Sequence, residues 1–189
     1  MPPESITHEL WKRAKEGDEA AFDQLFSIHT ERLLVFISAK LGGRLRERIE
    51  SQDVLQDAYA AALQGFPRFE YTDEGSFLRW MCRIIDNRLR DTNDYFAAAK
   101  RQIREIPRSA PTGPVTAFAR AENRERLQAA LHQLSDEHRE VILLRYFQRL
   151  TTQEAAERMQ RSVGAIRSLL SRALVELGKQ MKSNEESLP

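Results

Sequence analysis

Cysteine is almost absent from this sequence: Cys82 stands alone among 189 residues, so no internal disulfide can form. Long apolar runs are missing as well. None approaches the roughly 18 residues that a membrane span requires. The start, MPPESITHELWKRAKEGDEA, holds no hydrophobic stretch of the kind found in a secretory signal, so no membrane insertion and a cytoplasmic location are expected. Histidine is scarce, and His8, His29, His132 and His138 are not spaced with Cys82 as metal ligands usually are; neither a metal nor another cofactor is expected. There is no Ser/His/Asp set, no glycine-rich phosphate loop and no ligand cluster, which argues against an enzyme.

Strand-like alternation is also missing, and helical periodicity dominates nearly everywhere, so the chain reads as all-α. Proline marks the one clear break, REIPRSAPTGPV, where Pro107, Pro111 and Pro114 stand with Ser109 and Gly113. Such a segment cannot continue a helix and buries little. Two small helical domains are therefore expected, over 1–98 and 116–183, with a flexible linker over 99–115 and a frayed tail over 184–189. The net charge is only +1, but it is unevenly spread. Residues 1–78 carry 9 Lys/Arg against 14 Asp/Glu, residues 79–108 carry 8 against 4, and residues 109–189 carry 12 against 10. A basic stretch inside a near-neutral chain points to a polyanion contact confined to one surface.

In the first domain, DVLQDAYAAALQGF has two carboxylates and a glutamine within five residues. At about 100° per residue, Asp53, Gln56, Asp57, Ala60 and Gln64 share one stripe, while Val54, Leu55, Ala58, Ala61, Ala62 and Phe66 share the other. The acids face outward, which suits either a solvated surface or a partner. Further on, FLRWMCRIIDNRLRDTNDYF predicts a helix whose apolar side is Phe77, Trp80, Met81, Ile84, Ile85 and Leu89. Arg79, Arg83 and Arg90 line its other side, with Asn87 at the edge, and Phe66, Phe69 and Tyr71 precede it in a loop. Rings beside a row of arginines suit single-stranded DNA, because bases stack on the rings while phosphates pair with the cations. Each ring taken alone suits a core better, Phe66 and Trp80 above all, while Phe69, in a polar loop, suits either.

The second domain carries the most specific local pattern. Thr151 and Glu154 form a capping box, Ala155 and Ala156 allow close helix contact, and Gln160 to Ser162 make a brief turn before a second helix. This is a helix-turn-helix. On its second helix Val163, Ile166, Leu170, Leu174 and Leu177 form the expected buried stripe. Arg161, Ser168, Arg172 and Lys179 lie opposite, with Gly164 and Ser171 to one side and Arg167 near the border. Arginines and small hydroxyls on an exposed helix suit a DNA major groove, where they bond base edges or phosphates.

Taken in order, DVLQDAY, FPRF, GSFLRWMCRIIDNRL and LSDEHREVILLRYFQRLTTQEAAERMQRSVGAIRSLLSRAL resemble the bacterial sigma-70 group, specifically its short extracytoplasmic-function type. The likeness spans nearly the whole chain apart from linker and tail. It implies an RNA polymerase sigma factor with no catalysis of its own, one that binds core RNA polymerase and directs promoter-specific initiation. By that resemblance the first domain holds the polymerase and opens the −10 element, and the second reads the −35 element. Asp53, Gln56 and Asp57 match the contact with the clamp coiled coil of the largest polymerase subunit. Phe69 and Asn87 match a pocket for a base flipped from the non-template strand, in the −10 region where Trp80, Arg79, Arg83 and Arg90 also lie. Arg167, Ser168, Ser171 and Arg172, with Arg161, match the −35 DNA contact.

The segment FEYTDEGS is longer and more acidic than the family pattern, and Ser171 is small, so neither the captured base nor the −35 sequence carries over. No further domain pattern follows residue 183, so control is expected from a separate anti-sigma protein or from expression level. Two other readings stay open on the residues alone. One is a helix-turn-helix transcription regulator that acts without being a polymerase subunit. The other is a hydrolase using the acids of the first domain. A dimerising regulator would show an apolar outer face where this chain shows the Asp53 stripe.

Overall fold

The computed structural model describes residues 5–46, 48–99 and 117–186, and among these no strand occurs. The chain divides into two compact units, Met1–Glu105 and Ile106–Pro189. The expected linker lies outside the described residues apart from Ala99, which ends a helix.

In the first unit, α1 (Ile6–Lys15) begins where the Ser5 hydroxyl accepts the His8 amide at 3.3 Å, the usual way a serine satisfies an orphan donor. Gly17, at φ +97°, makes the left-handed turn that a side chain would strain. Asp18 then caps α2 (Glu19–Lys40), accepting the Ala21 amide at 3.0 Å. Arg13 clasps the same carboxylate at 2.7 Å, and this bond, with the cap, holds the Asp18 carboxyl below the usual range. From Leu33 to Ala39 every residue of α2 is buried, because α1, α4 and α5 pack around it. A helix apolar all round is a central one.

A short helix, α3 (Gly43–Arg46), leads to α4 (Ser51–Gly65), which runs into a 3₁₀ turn, Phe66–Arg68. The last helix of this unit is α5 (Ser76–Ala99). Its buried side is Phe77, Leu78, Met81, Cys82, Ile85 and Leu89. Trp80 and Ile84, expected inside, stand half-exposed at the margin. Contact with both α2 and α4 turns the buried arc toward Leu78 and Cys82.

In the second unit, α6 (Ala117–Gln133) is followed by α7 (Asp136–Ile142), capped by the Ser135 hydroxyl on the His138 amide. The helix widens into a π turn, Leu143–Phe147. The Gln148 amide reaches the Leu143 carbonyl at 2.9 Å, the Arg145 guanidinium donates to the Leu150 carbonyl, and Arg149 takes a positive φ of 55°. Then come α8 (Thr152–Arg158) and α9 (Val163–Glu186). The core is Ala130, Leu131, Leu134, Val141 to Leu144, Phe147, Ala155, Ala156, Ile166, Leu169 and Ala173. Helices α6, α7 and α8 all pack on α9, so its buried stripe runs through Ile166, Leu169 and Ala173. The expected stripe is corrected on this point: Val163, Leu170 and Leu177 are only half-buried, and Leu174 is 37% exposed. The tail expected to fray is helical through Glu186, with the Gln133 amide donating to Asn184 at 3.4 Å.

Candidate polymerase and nucleic-acid surfaces

Helix α4 separates its residues as the periodicity requires. Val54, Leu55, Ala58 and Ala62 are buried, Gln56, Asp57, Ala60 and Gln64 are exposed, and Asp53 is half-exposed. Asp53 lies in the first turn, where the helix dipole favours an anion. The stripe is held by a bond that its own pattern did not announce: the Tyr59 hydroxyl donates to Asp23 of α2, with the Tyr59 ring against Phe22 and Phe26. That bond is the main reason the Tyr59 phenol is pushed up to about 12. Leu63, 45% exposed, stands seven residues after Gln56 and so on the same side of the helix. Sequence reasoning missed it, although the i+7 spacing was there to be read.

Helix α5 presents Arg83, Asn87 and Arg90 to solvent, one above the other at i, i+4 and i+7. Arg79 continues the row toward the helix start, but it pairs with Asp73 in the preceding loop and keeps the Asp73 carboxyl below the usual range. Asp73 also accepts the Gly75 amide at 2.7 Å, and its carbonyl takes the Ser76 hydroxyl at 2.6 Å. These bonds knit the acidic loop to the first turn of α5.

Phe69 lies in an aromatic cluster with Trp80 and Phe77. It is only 6% exposed, stacked on Trp80 with centroids 4.6 Å apart and edge-on to Phe77 at 5.8 Å. Phe69, expected at the base pocket, is thus placed inside the aromatic cluster. Segment 69–72 looks like a polar loop in sequence, but tertiary packing folds this one ring into the aromatic cluster. Trp80 is half-buried and lies at the edge of that cluster. A methyl group on Gly65 would come within 3.2 Å of the indole, so glycine is what lets α4 and Trp80 approach closely.

The helix-turn-helix forms through the expected capping box: the Thr151 amide donates to Glu154 at 2.6 Å and the Glu154 amide to the Thr151 hydroxyl at 3.2 Å. Gln160 takes a positive φ of 53° in the turn, and the Ser162 hydroxyl accepts the Ala165 amide at 3.2 Å where α9 starts. Gly164, Arg167, Ser168, Ser171 and Arg172 are all exposed on one face of α9. Arg172 folds its Nε toward the Ser168 carbonyl at 3.4 Å. Arg161 pairs with Glu137 and so ties the turn to α7. Lys179 lies 3.7 Å from Glu176 on its own helix.

Among the described residues no three His, Cys, Asp or Glu side chains gather as metal ligands, and no helix is long and apolar enough to cross a membrane.

Comparison with known proteins adds independent findings. The family model for sigma-70 region 2 matches residues 29–102, and that for sigma-70, region 4, matches residues 124–177. The chain is 32% identical to RNA polymerase sigma factor YlaC of Bacillus subtilis (strain 168) over 143 residues, covering 72% of this chain and 80% of that protein. It is 27% identical to RNA polymerase sigma factor NccH of Alcaligenes xylosoxydans xylosoxydans over 192 residues, covering 98% and 100%. It is 25% identical to the ECF RNA polymerase sigma factor SigW of Bacillus subtilis (strain 168), covering 90% and 94%. In fold it is similar to CnrH, solved in complex with the cytosolic domain of CnrY, at a TM-score of 0.50 and 24% identity, covering 95% of this chain and 99% of that one.

Proposed function

The chain belongs to the sigma-70 family, in its extracytoplasmic-function group, and from that premise we infer that it is an RNA polymerase sigma factor, binding core polymerase and directing promoter-specific initiation. The observation that carries the reading onto this chain's own residues is the exposed face of α9. Arg167, Ser168, Ser171 and Arg172 stand clear of the helix's buried stripe, at the start of a helix whose entry is set by a capped helix-turn-helix. In the reading, this face enters the major groove of the −35 element, with arginine on base edges and serine on bases or phosphates.

The other roles follow from the first unit. Asp53, Gln56 and Asp57, with Leu63 beside them, dock on the clamp coiled coil of the largest polymerase subunit. Arg83, Asn87 and Arg90, with the open edge of Trp80, receive the −10 strand as it unpairs, phosphates on the cations and a base near the indole. Phe69 supports Trp80 from below instead of meeting DNA. Arg79 and Arg161 hold their own loops through Asp73 and Glu137. The chemistry of RNA synthesis is the polymerase's, so the protein itself is assigned no catalysis and no cofactor. Its place is with polymerase and promoter in the bacterial cytoplasm. A separate anti-sigma protein is the regulator that this reading assigns.

Run-off transcription with purified core polymerase over a genomic fragment library tests the reading. Discrete transcripts that need the added protein are expected. A folded protein that starts none, with no inhibitor present, would return the chain to a helix-turn-helix regulator acting without the polymerase.

A further inference from the structure

Arg161 stands at the entrance to the helix that the reading puts into DNA, yet its charge is already paired. Its backbone is fixed. The Arg161 amide donates to the Ala156 carbonyl at 2.9 Å and the Gln160 amide to the Glu157 carbonyl at 3.2 Å, with Gln160 at its positive φ, so α8 ends in a left-handed cap. Ser162 follows and caps α9 through the Ala165 amide. Only the side chain of Arg161 is left to choose a direction. Spacing groups it with Ser168 and Arg172, but its guanidinium crosses to the Glu137 carboxylate of α7, 24 residues back in the chain.

Glu137 lies beside Asp136 in the first turn of α7, where the helix dipole favours an acid, and the Ser135 cap fixes the start of that turn. Asp136 is matched by Arg139 of its own helix. Glu137 has Arg161 as its one hydrogen-bonding and ionic partner among the described residues. The other two arginines assigned to the −35 face, Arg167 and Arg172, have no acid partner among the described residues, Arg172 turning instead to the Ser168 carbonyl. Arg161 is thus the arginine of that set whose charge is cancelled from outside α9. Both members of the pair are exposed, and a pair that water reaches is weak and sensitive to salt. An arginine held by a carboxylate brings no net charge to a phosphate backbone, the partner on which sequence-independent DNA binding rests.

We propose that Glu137 is a brake on DNA binding that acts through Arg161. While the pair stands, the second unit meets a duplex with one cation fewer at the entrance to α9, and it loses affinity for every sequence alike. Base reading is left to Arg167 and Arg172, so the brake lowers the general hold on DNA without changing preference. Non-specific sites in a genome far outnumber promoters, and a weaker general hold leaves more of the chain free for polymerase. This deepens the proposed function and rests on its placement of α9 in the groove. Glu137 touches no DNA in the scheme; it is a positioning residue for Arg161.

The test uses the full-length chain and a labelled random-sequence duplex, read by fluorescence anisotropy across a salt series, because backbone contacts do not depend on sequence. Glu137→Gln keeps the size of the side chain and removes its charge. It should bind about threefold to fivefold more tightly at low salt, the scale of one exposed ion pair. Its logarithmic salt slope should steepen by about 0.9, the share of one phosphate contact. Glu137→Ala should do the same, and the thermal midpoint of both should stay near wild type. Arg161→Ala should bind like wild type, and adding it to Glu137→Gln should erase the gain. An unchanged slope in Glu137→Gln would overturn the brake, as would weaker binding by Arg161→Ala, which would show that Arg161 already reaches DNA. A gain that survives in the double variant would overturn it too, since the carboxylate would then repel phosphates by itself. The readout needs no polymerase. A chain that shows the expected pattern and starts no transcript keeps the brake and loses the sigma-factor reading, whereas transcripts with an unchanged slope do the reverse.

Discussion

Replacing Phe69 with alanine separates a core ring from a DNA-stacking ring more sharply than any other single change. Phe69 is 6% exposed, so truncation removes nearly the whole ring from a packed site. Burying such a side chain is worth about 1.5–3 kcal/mol. Stacking on Trp80 and edge contact with Phe77 each add about 0.5–1.5 kcal/mol beyond burial. The expected loss is about 3–5 kcal/mol, the usual range for a buried Phe→Ala change. A domain of this size has a total stability of only about 5–15 kcal/mol. The thermal midpoint of the first unit should therefore fall on the order of 15 °C or more, since 1 kcal/mol shifts a domain of this size by about 4–8 °C. Both tryptophans, Trp11 and Trp80, lie in the first unit, so tryptophan fluorescence during urea unfolding reports that unit alone. Phe69→Leu, which keeps most of the apolar volume, should recover much of the loss. The reasoning is refuted if Phe69→Ala unfolds within about 0.5 kcal/mol of wild type, as surface substitutions do, while promoter opening is lost. That outcome would put the ring on the DNA side.

Three further outcomes are expected. Asp53→Arg should leave helical content and thermal midpoint near wild type, because Asp53 is half-exposed with its neighbours Gln56 and Asp57 in solvent, yet abolish co-purification with core polymerase by setting like charges together across the interface; normal retention would make the stripe a merely solvated face. Arg172→Ala or Arg167→Ala should cost about 1–3 kcal/mol at one −35 position and relax preference there, whereas Lys179→Ala should act evenly on all sequences; uniform losses for both arginines in a promoter-variant series would assign them to phosphates. With the Tyr59 phenol pushed up to about 12 in the folded chain, against about 10 in an unfolded one, the bond to Asp23 should contribute fully below about pH 10 and fade as pH rises toward about 12. Comparing thermal midpoints of wild type and Tyr59→Phe across that window checks it, and a gap that does not change with pH would show that the bond does not set the phenol's titration.

What sequence reasoning reached was whatever depends on residues within a turn or two of each other. The α4 stripe follows from a 3.6-residue period, so Asp53, Gln56 and Asp57 stand apart from Val54, Leu55, Ala58 and Ala62 whatever the helix packs on. The capping box of Thr151 and Glu154 closes over three residues, and the turn at Gln160 follows directly, so the helix-turn-helix was legible in full. The absence of strand alternation likewise pointed to an all-helical chain. Tertiary structure decided the matters that turn on partners distant in sequence. Whether Phe69 stacks on a base or on Trp80 depends on α4 and α5 meeting at Gly65, which no local pattern encodes. The buried stripe of α9 shifted to Ile166, Leu169 and Ala173 because three helices share that helix, and the width of an apolar face does not say how many neighbours cover it. Arg161 found Glu137, and Tyr71 found His8 and Ser5 of α1, through contacts that exist only once the helices have docked. A side chain's periodicity is set by its own helix, but its burial and its charge partner are set by whichever element packs against it.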